Sequence, residues 1–308
     1  MSRRILITGS SGLVGTAVAT VLASRGVKLR HLDLRASGAA FGDVLDRDRV
    51  QKAIFGCDGV IHLAAVSRVV WGERDPELCW STNVDGLRNI LRAAGASPRR
   101  PWVVFASSRE VYGQPDLLPA NEDSPLQPVN VYGRSKAEGE GLIEAARLGG
   151  IRACTIRLSN VFGTTSDHPD RVVPAFARAA ASGAQLRVDG AENTFDFTHI
   201  DDVARGIVAL AELLGDGKAA PPPIHFVSGK PTTLGELAGM AIRIAASRAT
   251  VRHAPARNFD VGRFFGDPGR AEALLGWLPQ VTLETGLRRL IDAFRETQDA
   301  GHLTDPAR

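Results

Sequence analysis

The chain has 308 residues, of which 44% are apolar and 23% charged, and its formal net charge at pH 7 is only +3. These values are typical of a globular protein, and the charge is too small to predict nucleic-acid binding. The cysteines Cys57, Cys79 and Cys154 are scattered and odd in number, which indicates neither a disulfide framework nor a zinc site. No apolar stretch is long enough to span a membrane and no signal peptide precedes the first apolar run, so we expect a cytoplasmic protein without membrane partners.

The first half of the chain alternates short apolar runs with amphipathic stretches. The predicted strands are residues 4–8, 28–33, 59–63, 102–106 and 153–158. The predicted helices between them are residues 12–25, 47–54, 76–94 and 135–146. This alternation predicts an α/β fold with a doubly wound parallel sheet, in which ligands bind at the carboxyl ends of the strands.

The pattern is looser after residue 160. We predict helices at 174–183, 201–214, 233–246 and 283–295, and short strands at 185–188 and 224–227. Residues 217–223 are rich in proline and glycine and predict a surface connection, and the polar tail beyond Glu296 predicts a frayed end.

A glycine pattern follows the first predicted strand directly. Gly9 permits a tight turn, Gly12 leaves room for the backbone to touch phosphate, and Gly15 lets a helix pack on the strand. Because the pattern joins a strand to a helix, it predicts a dinucleotide site. The residues expected to contact the cofactor here are Gly9, Ser11, Gly12, Leu13, Val14 and Gly15.

Asp33 ends the second predicted strand. A carboxylate at this position accepts hydrogen bonds from the adenosine ribose and repels a 2′-phosphate, which favours NAD over NADP. Arg35, two residues later, leaves the choice open because it could attract that phosphate or pair at the surface.

A second motif reads Tyr132-Gly133-Arg134-Ser135-Lys136. Its phenol and ammonium groups are one helical turn apart and face the same side. A tyrosine with the ordinary pKa of about 10 is a poor base at neutral pH, but a neighbouring positive charge favours the phenolate. Tyr132 can then take a hydroxyl proton while a hydride leaves the same carbon for a nicotinamide. The two motifs together predict redox chemistry on an alcohol or ketone.

An ordered series of short motifs resembles the extended short-chain dehydrogenase/reductases, specifically the NAD-dependent epimerase/dehydratase family of nucleotide sugars. The resemblance covers nearly the whole chain. Besides the two motifs above, it includes residues 42–44 (GDV), 60–65 (VIHLAA), 82–86 (TNVDG), 106–113 (ASSREVYG), 157–163 (RLSNVFG), 195–203 (FDFTHIDDV) and 275–279 (LGWLP). This order of motifs is specific for the family but not for the substrate.

The resemblance implies a Rossmann domain of residues 1–160 plus about 195–228 that binds NAD. It implies a smaller mixed C-terminal domain, residues about 161–194 plus 229–308, that binds the substrate. A homodimer is also implied, with helices 76–94 and 135–146 forming a four-helix interface. The implied partner is a small-molecule substrate, a nucleoside-diphosphate sugar.

The implied site residues follow from the matched motifs. The implied catalytic triad is Ser108, Tyr132 and Lys136, of which Tyr132 and Lys136 also contact the cofactor. The remaining implied cofactor contacts are Asp43 and Val44 on the adenine side and Leu63, Ala64 and Ala65 beneath the pyrophosphate. Asn83 is expected to support that loop, and Tyr112, His62 and His199 to be structural. The implied substrate contacts are Ser67, Ser108, Asn160 and Arg257, while Arg68 and Trp71 are expected to help select the sugar.

Two departures from the family pattern affect the expected chemistry. Phe195 stands where many members have an arginine that binds the diphosphate, so the substrate is held differently or is unusual. Arg109 stands where many 4,6-dehydratases have an aspartic acid, and an arginine cannot donate a proton at neutral pH. The base that such enzymes place next to it is present as Glu110.

These features predict an NAD-dependent nucleotide-sugar 4-epimerase that works through a transient 4-keto sugar. One alternative is a nucleotide-sugar 4,6-dehydratase or decarboxylase that uses Glu110 as a further catalytic residue. Another is a net sugar dehydrogenase or reductase, which would have to release its cofactor at each turnover. No pair of histidines has the spacing of metal ligands, so we expect no metal.

Overall fold

The computed structural model describes residues 3–257 and 261–303. Its strands, in chain order, are β1 Arg4–Thr8, β2 Lys28–Leu32, β3 Gly59–His62, β4 Trp102–Ser108, β5 Ala153–Leu158, β6 Asn160–Phe162, β7 Leu186–Asp189, β8 Thr194–His199, β9 Ile224–Phe226, β10 Pro231–Thr233 and β11 Val251–Ala254.

The helices, in chain order, are α1 Leu13–Ser24, α2 Arg47–Ile54, α3 Val69–Arg74, α4 Pro76–Trp80, α5 Gly86–Ala96, α6 Val131–Leu148, α7 Val172–Ser182, α8 Ile200–Gly215, α9 Leu234–Ala245, α10 Gly269–Leu275 and α11 Leu283–Leu303. A π-helical turn at Ser81–Asp85 joins α4 to α5, and a 3-10 turn at Arg109–Tyr112 follows β4. In the described part of the chain, no helix combines the length and the apolar character that crossing a bilayer requires.

Six parallel strands form the main sheet in the order β2-β1-β3-β4-β5-β9. The chain runs outward from β1 to β2 and then returns to the other side of β1 at β3. Such a reversal opens a crevice at the carboxyl ends of the central strands, where ligands bind in doubly wound folds. The predicted α/β doubly wound fold is confirmed.

Apolar side chains cover both faces of this sheet. One cluster packs α1 and α8 against it and includes Val18, Leu22 and Ile207, while another packs α2 and α5 against the opposite face. Strands β3 and β4 are buried along their whole length, as expected of central parallel strands with helices on both sides.

A third apolar cluster lies in the C-terminal part of the chain. It joins α7, α9 and α11 to two small sheets, with strand orders β10-β8-β6 and β11-β7. Strand β8 pairs antiparallel with β10 and parallel with β6, so this sheet is mixed. The predicted smaller mixed unit is therefore present beside the main sheet.

Most elements of the first half match their predicted bounds within a few residues, but three differ. The helix predicted at 76–94 is divided into α4 and α5 by the π-helical turn. Strand β4 extends to Ser108, and α6 begins at Val131 rather than 135. The reason for the earlier start is a cap, since the Asn130 side chain accepts a hydrogen bond from the Gly133 N–H. The helix predicted to end at 295 continues to Leu303 in α11, and the rest of the tail that was predicted to fray lies outside the described residues.

The close packing of α8 on β9 yields a stability prediction. A Cβ added at the buried Gly206 would lie 2.6 Å from Phe226, whose ring is itself held against Trp277 with 5.0 Å between ring centroids. We expect Gly206→Ala to lower the free energy of unfolding by about 1–3 kcal/mol because the overpacked ring cannot move away. The measurement is urea unfolding, followed by circular dichroism.

The matched control for this variant is Gly239→Ala in α9. An added Cβ there meets nothing within 4 Å, so the better helix propensity of alanine should raise stability by about 0.5–1 kcal/mol. Equal changes in the free energy of unfolding of the two variants would contradict the packing argument.

Candidate active site

The glycine loop is shaped by contacts that exclude any side chain. A Cβ at Gly9 would lie 2.6 Å from the Ala64 nitrogen, and one at Gly15 would lie 2.2 Å from the Gly9 oxygen. Gly9 also has a φ of +68°, which favours glycine. Helix α1 begins directly after Gly12, which provides no side-chain cap, so its first N–H groups suit a phosphate ligand.

Asp33 ties the end of β2 to this loop. Its carboxylate accepts hydrogen bonds from the Ser11 N–H at 2.8 Å and from the Arg35 N–H at 2.7 Å. The Arg35 guanidinium is largely exposed, with its Nε 3.9 Å from the same carboxylate. Asp33 is thus a buried acceptor at the position where an adenosine ribose would meet the loop.

One cavity of about 420 Å³ lies at the carboxyl ends of β1, β3, β4 and β5. Residues of the main sheet and of the C-terminal unit share its wall. The predicted site residues that line it are Gly9, Gly12, Leu13, Val14, Gly15, Leu63, Ala65, Ser67, Ser108, Glu110, Tyr132, Lys136, Asn160 and Arg257. The structure therefore brings the glycine loop and the Tyr132 motif, which are far apart in sequence, to one cavity.

Six predicted cofactor residues are not in the cavity wall: Ser11, Asp33, Arg35, Asp43, Val44 and Ala64. They lie behind or beside the glycine loop. The Ala64 N–H donates to the Thr8 hydroxyl, the Asp43 carboxylate accepts from the Leu45 N–H, and Val44 packs on Gly86.

Ser108 and Tyr132 meet at the wall of this cavity. Tyr132 is buried, and the Ser108 side chain is near enough to its phenol to lower the pKa of that group. The Lys136 Nζ donates a 2.8 Å hydrogen bond to the Ala106 carbonyl and lies 5.8 Å from the centroid of the Tyr132 ring. The three predicted catalytic side chains are therefore neighbours.

Burial changes the proton affinity of both ionisable groups. It raises the pKa of Tyr132 to about 12, although the Ser108 hydrogen bond and the positive charge of Arg171 act in the opposite direction. Burial lowers the pKa of Lys136 to about 8. The phenol is consequently protonated at neutral pH until further positive charge comes close to it.

Glu110 is held by two side chains. One carboxylate oxygen pairs with the Arg109 Nη2 at 2.8 Å, and the other accepts a 2.8 Å hydrogen bond from the Asn130 Nδ2. All three residues are buried. Although Glu110 lines the cavity, its carboxylate is already engaged.

Asn83 supports the loop after β3, as expected. Its Oδ1 accepts from the Val66 N–H at 2.8 Å, and its Nδ2 donates to the Ser135 hydroxyl at 2.9 Å. This side chain fixes the loop against α6 and lies outside the cavity wall.

The residues expected to be structural have internal partners. The Tyr112 hydroxyl is 2.6 Å from the His225 Nε2 and 2.5 Å from the Arg157 Nη1, and Tyr112 does not line the cavity. His62 is buried beside the Thr8 hydroxyl, and burial lowers its pKa to about 3. No group of three potential metal ligands occurs among the described residues.

Several polar and charged residues of the wall were not among the predicted site residues. Arg109, Arg171 and Arg187 line the cavity, together with Asp170, Asp189 and Asn193. Only Arg109 had a usable signal, its position directly after Ser108. Arg68 lines the cavity as expected, whereas Trp71 does not and packs edge-on against His168.

Comparison with known proteins agrees with this geometry. Residues 5–222 match the model of the NAD dependent epimerase/dehydratase family. The chain belongs to this family. Membership confirms the predicted NAD dependence and agrees with a glycine loop and a helix N-terminus that suit a dinucleotide phosphate.

Individual relatives span nearly the whole chain. A UDP-glucose 4-epimerase from Streptomyces lividans is 31% identical over 91% of this chain and 92% of its own length. A UDP-glucuronic acid decarboxylase 1 from Danio rerio is 29% identical over 95% of this chain and 72% of its own length. A solved structure of UDP-glucose 4-epimerase from Thermus thermophilus in complex with NAD is 27% identical, with a TM-score of 0.83 over 95% of this chain and 99% of that one.

The buried ammonium of Lys136 yields a pH prediction. Its folded pKa of about 8 is below the ordinary value of 10.5, so between these values the native state binds fewer protons than the unfolded state. Stability of the nucleotide-free wild type, relative to Lys136→Met, should therefore rise with pH in this window. We expect a rise of about 2 kcal/mol between pH 8.0 and 9.5, measured by urea unfolding.

The control for this experiment is Lys28→Met, which removes an exposed lysine from β2. Its stability difference from the wild type should stay constant with pH. A constant difference for Lys136→Met as well would show that the Lys136 ammonium is not desolvated.

Proposed function

We propose that this protein is an NAD-dependent nucleotide-sugar epimerase that inverts C4 through a transient 4-keto sugar. The observation that carries the proposal is that Ser108, Tyr132 and Lys136 line the same cavity as the glycine loop. Such a cavity can hold the reacting carbon between a proton acceptor and a redox cofactor.

The glycine loop and the start of α1 would hold the NAD pyrophosphate, and Asp33 would accept hydrogen bonds from the adenosine ribose. The chemistry that NAD supplies when bound is reversible hydride transfer at the sugar carbon. The Asp33 carboxylate, held by two backbone N–H groups, can accept hydrogen bonds from the ribose but would repel a 2′-phosphate. We therefore favour NAD over NADP. Asp43 and Val44 are proposed for the adenine side, and Leu63 to Ala65 for the side facing the sugar.

Tyr132 would take the proton of the sugar hydroxyl and return it after inversion. Ser108 is proposed to hydrogen-bond the same oxygen, because its side chain is near enough to act on the phenol. Arg171 contributes positive charge that favours the phenolate, which burial otherwise disfavours. The Lys136 ammonium, 5.8 Å from the centroid of the Tyr132 ring, is proposed to add to this effect. In this mechanism Tyr132 is the base, Ser108 orients the sugar oxygen, and Lys136 and Arg171 supply positive charge.

The surroundings of Glu110 favour epimerisation over elimination of water. An elimination needs an acid for the leaving hydroxyl and a free base, but Arg109 cannot supply a proton. Glu110 is paired with Arg109 and Asn130, so its carboxylate has a structural role in the present geometry. A dehydratase or decarboxylase would first have to release this carboxylate.

The substrate would extend from Tyr132 toward the C-terminal unit. Ser67, Asn160 and Arg257 all line this cavity. A guanidinium suits a diphosphate because its fork matches two phosphate oxygens. We therefore propose the main sheet unit as the cofactor domain and the C-terminal unit as the substrate domain. The buried free cysteines are compatible with a cytoplasmic location.

The triad yields the central functional prediction. We expect Tyr132→Phe to lower kcat at least about a hundredfold, because the phenol that exchanges the proton is lost, while NAD stays bound. The assay is mass spectrometry with chromatographic separation of a pooled nucleotide-sugar panel. The wild type should form an isomer of unchanged mass, and loss of water or carbon dioxide would replace the epimerase proposal with elimination or decarboxylation.

The matched control is Tyr112→Phe, which alters the only other tyrosine of the chain. Tyr112 lies outside the cavity, so this variant should lose stability but keep kcat within a few-fold. Full activity in Tyr132→Phe would contradict the proposed mechanism.

We further propose a homodimer that uses α4, α5 and α6. Helix α4 packs beside α6 and exposes two large apolar side chains, with Leu78 50% and Trp80 41% accessible. Apolar side chains exposed together favour association.

We expect Trp80→Glu to convert the dimer to a monomer, because a charge cannot be buried unpaired at an apolar interface. Light scattering coupled to size exclusion measures the mass. The control is Phe55→Glu, which alters an even more exposed aromatic residue directly after α2, 68% accessible, and should leave the dimer intact. A wild type that is monomeric at high concentration would contradict the proposal.

A further inference from the structure

Arg109 is a buried cation in the cavity wall that the proposed proton transfer does not use. It is 9% exposed and follows Ser108 directly. Its Nη2 pairs with Glu110 at 2.8 Å, whereas its Nη1 is buried and has no hydrogen-bond partner among the described residues. A guanidinium in this situation has only part of its donor capacity satisfied.

Two aromatic rings hold the guanidinium in place. Its central carbon lies 4.6 Å from the centroid of Phe195 and 6.0 Å from that of Phe264. Rings in contact with a guanidinium stabilise its charge but accept no strong hydrogen bonds. The rings therefore restrict the side chain without replacing the acceptor that Nη1 lacks.

Glu110 balances the charge of this guanidinium but does not satisfy all of its donors. The other carboxylate oxygen of Glu110 accepts from Asn130, so Glu110 pairs with only one terminal nitrogen of the Arg109 guanidinium. A buried cation with an unsatisfied donor lowers the stability of the fold unless another hydrogen-bond acceptor is present for part of the catalytic cycle. An oxyanion is the acceptor that a guanidinium fork binds most strongly.

We propose that Arg109 binds an oxyanion of the nucleotide sugar and so determines which substrates the cavity accepts. The proposal rests on the proposed function, since it assumes that a nucleotide sugar occupies this cavity. Two parts of such a ligand carry the required chemistry, a carboxylate on the sugar and the diphosphate. The position of Arg109 next to Ser108 puts it beside the sugar, and its contact with Phe195 of β8 directs it toward the C-terminal unit.

The test is calorimetric titration of UDP, UDP-glucose and UDP-glucuronic acid into the NAD-loaded protein. Arg109→Gln removes the charge but can still donate to Glu110, and we expect it to weaken binding about tenfold or more. If Arg109→Gln weakens the binding of UDP-glucuronic acid alone, the sugar carboxylate is the group that Arg109 binds. If it weakens the binding of all three ligands similarly, that group is the diphosphate. Both results support the proposal.

A matched control is Arg205→Met. Arg205 also pairs with a carboxylate, that of Asp202, and lies 5.7 Å from the Trp277 ring, but it is outside the cavity wall. This variant should bind all three ligands like the wild type. Melting temperature and bound NAD are measured for every variant, so that a folding defect is recognised.

Arg109→Lys keeps a charge for Glu110 but lacks the fork, so it should fold even where Arg109→Gln does not. We expect it to bind the affected ligands at least threefold more weakly than the wild type. Wild-type affinity for all three ligands in each folded Arg109 variant would overturn the proposal and leave the epimerase function standing. A wild type that neither binds nor converts any nucleotide sugar would overturn both.

Discussion

The geometry of the site depends on two hydrogen bonds made by the side chain of Asn130. Its Oδ1 caps α6 by accepting from the Gly133 N–H at 2.7 Å, and its Nδ2 donates to Glu110 at 2.8 Å. The first contact places Tyr132 in the first turn of the helix, and the second ties that turn to the segment after β4. Ser108 and Tyr132 therefore meet because one amide joins the two elements that present them. The approach is close, since a Cβ at Gly133 would lie 2.6 Å from the Glu110 carbonyl oxygen.

The electrostatics of the site follow from this close packing. Removal from water disfavours the charged forms of the phenol and the ammonium, and their pKa values move to about 12 and about 8. In the proposed mechanism, Tyr132 would become a base only when positive charge arrives with the ligands. Proton abstraction would then be coupled to binding, which would protect a reactive phenolate from water.

The sequence predicted the main sheet well because its strands and helices are long and strongly patterned. The start of α6 was missed because Gly133 weakens the helical pattern, although Asn130 was a readable cap signal. Strands β6 and β10 are three residues each and were missed, since so short a strand has no periodicity of its own. The Tyr132 motif and the glycine loop could be read from the sequence because each is a local motif. Their meeting at one cavity required the topology of the sheet.

The relation between Arg109 and Phe195 could not have been read from either residue alone. In the sequence, Phe195 replaces an arginine that is common in the family, and Arg109 replaces an acid, so each looked like a loss. In the structure the guanidinium of Arg109 lies over the Phe195 ring, 4.6 Å from its centroid. An arginine at 195 would put a second cation against the first, which like-charge repulsion disfavours in a buried place. The aromatic ring at 195 is thus the residue that lets a cation reach this wall from β4. In this chain the positive charge therefore enters the wall from the turn after β4, and the ring at position 195 supports it.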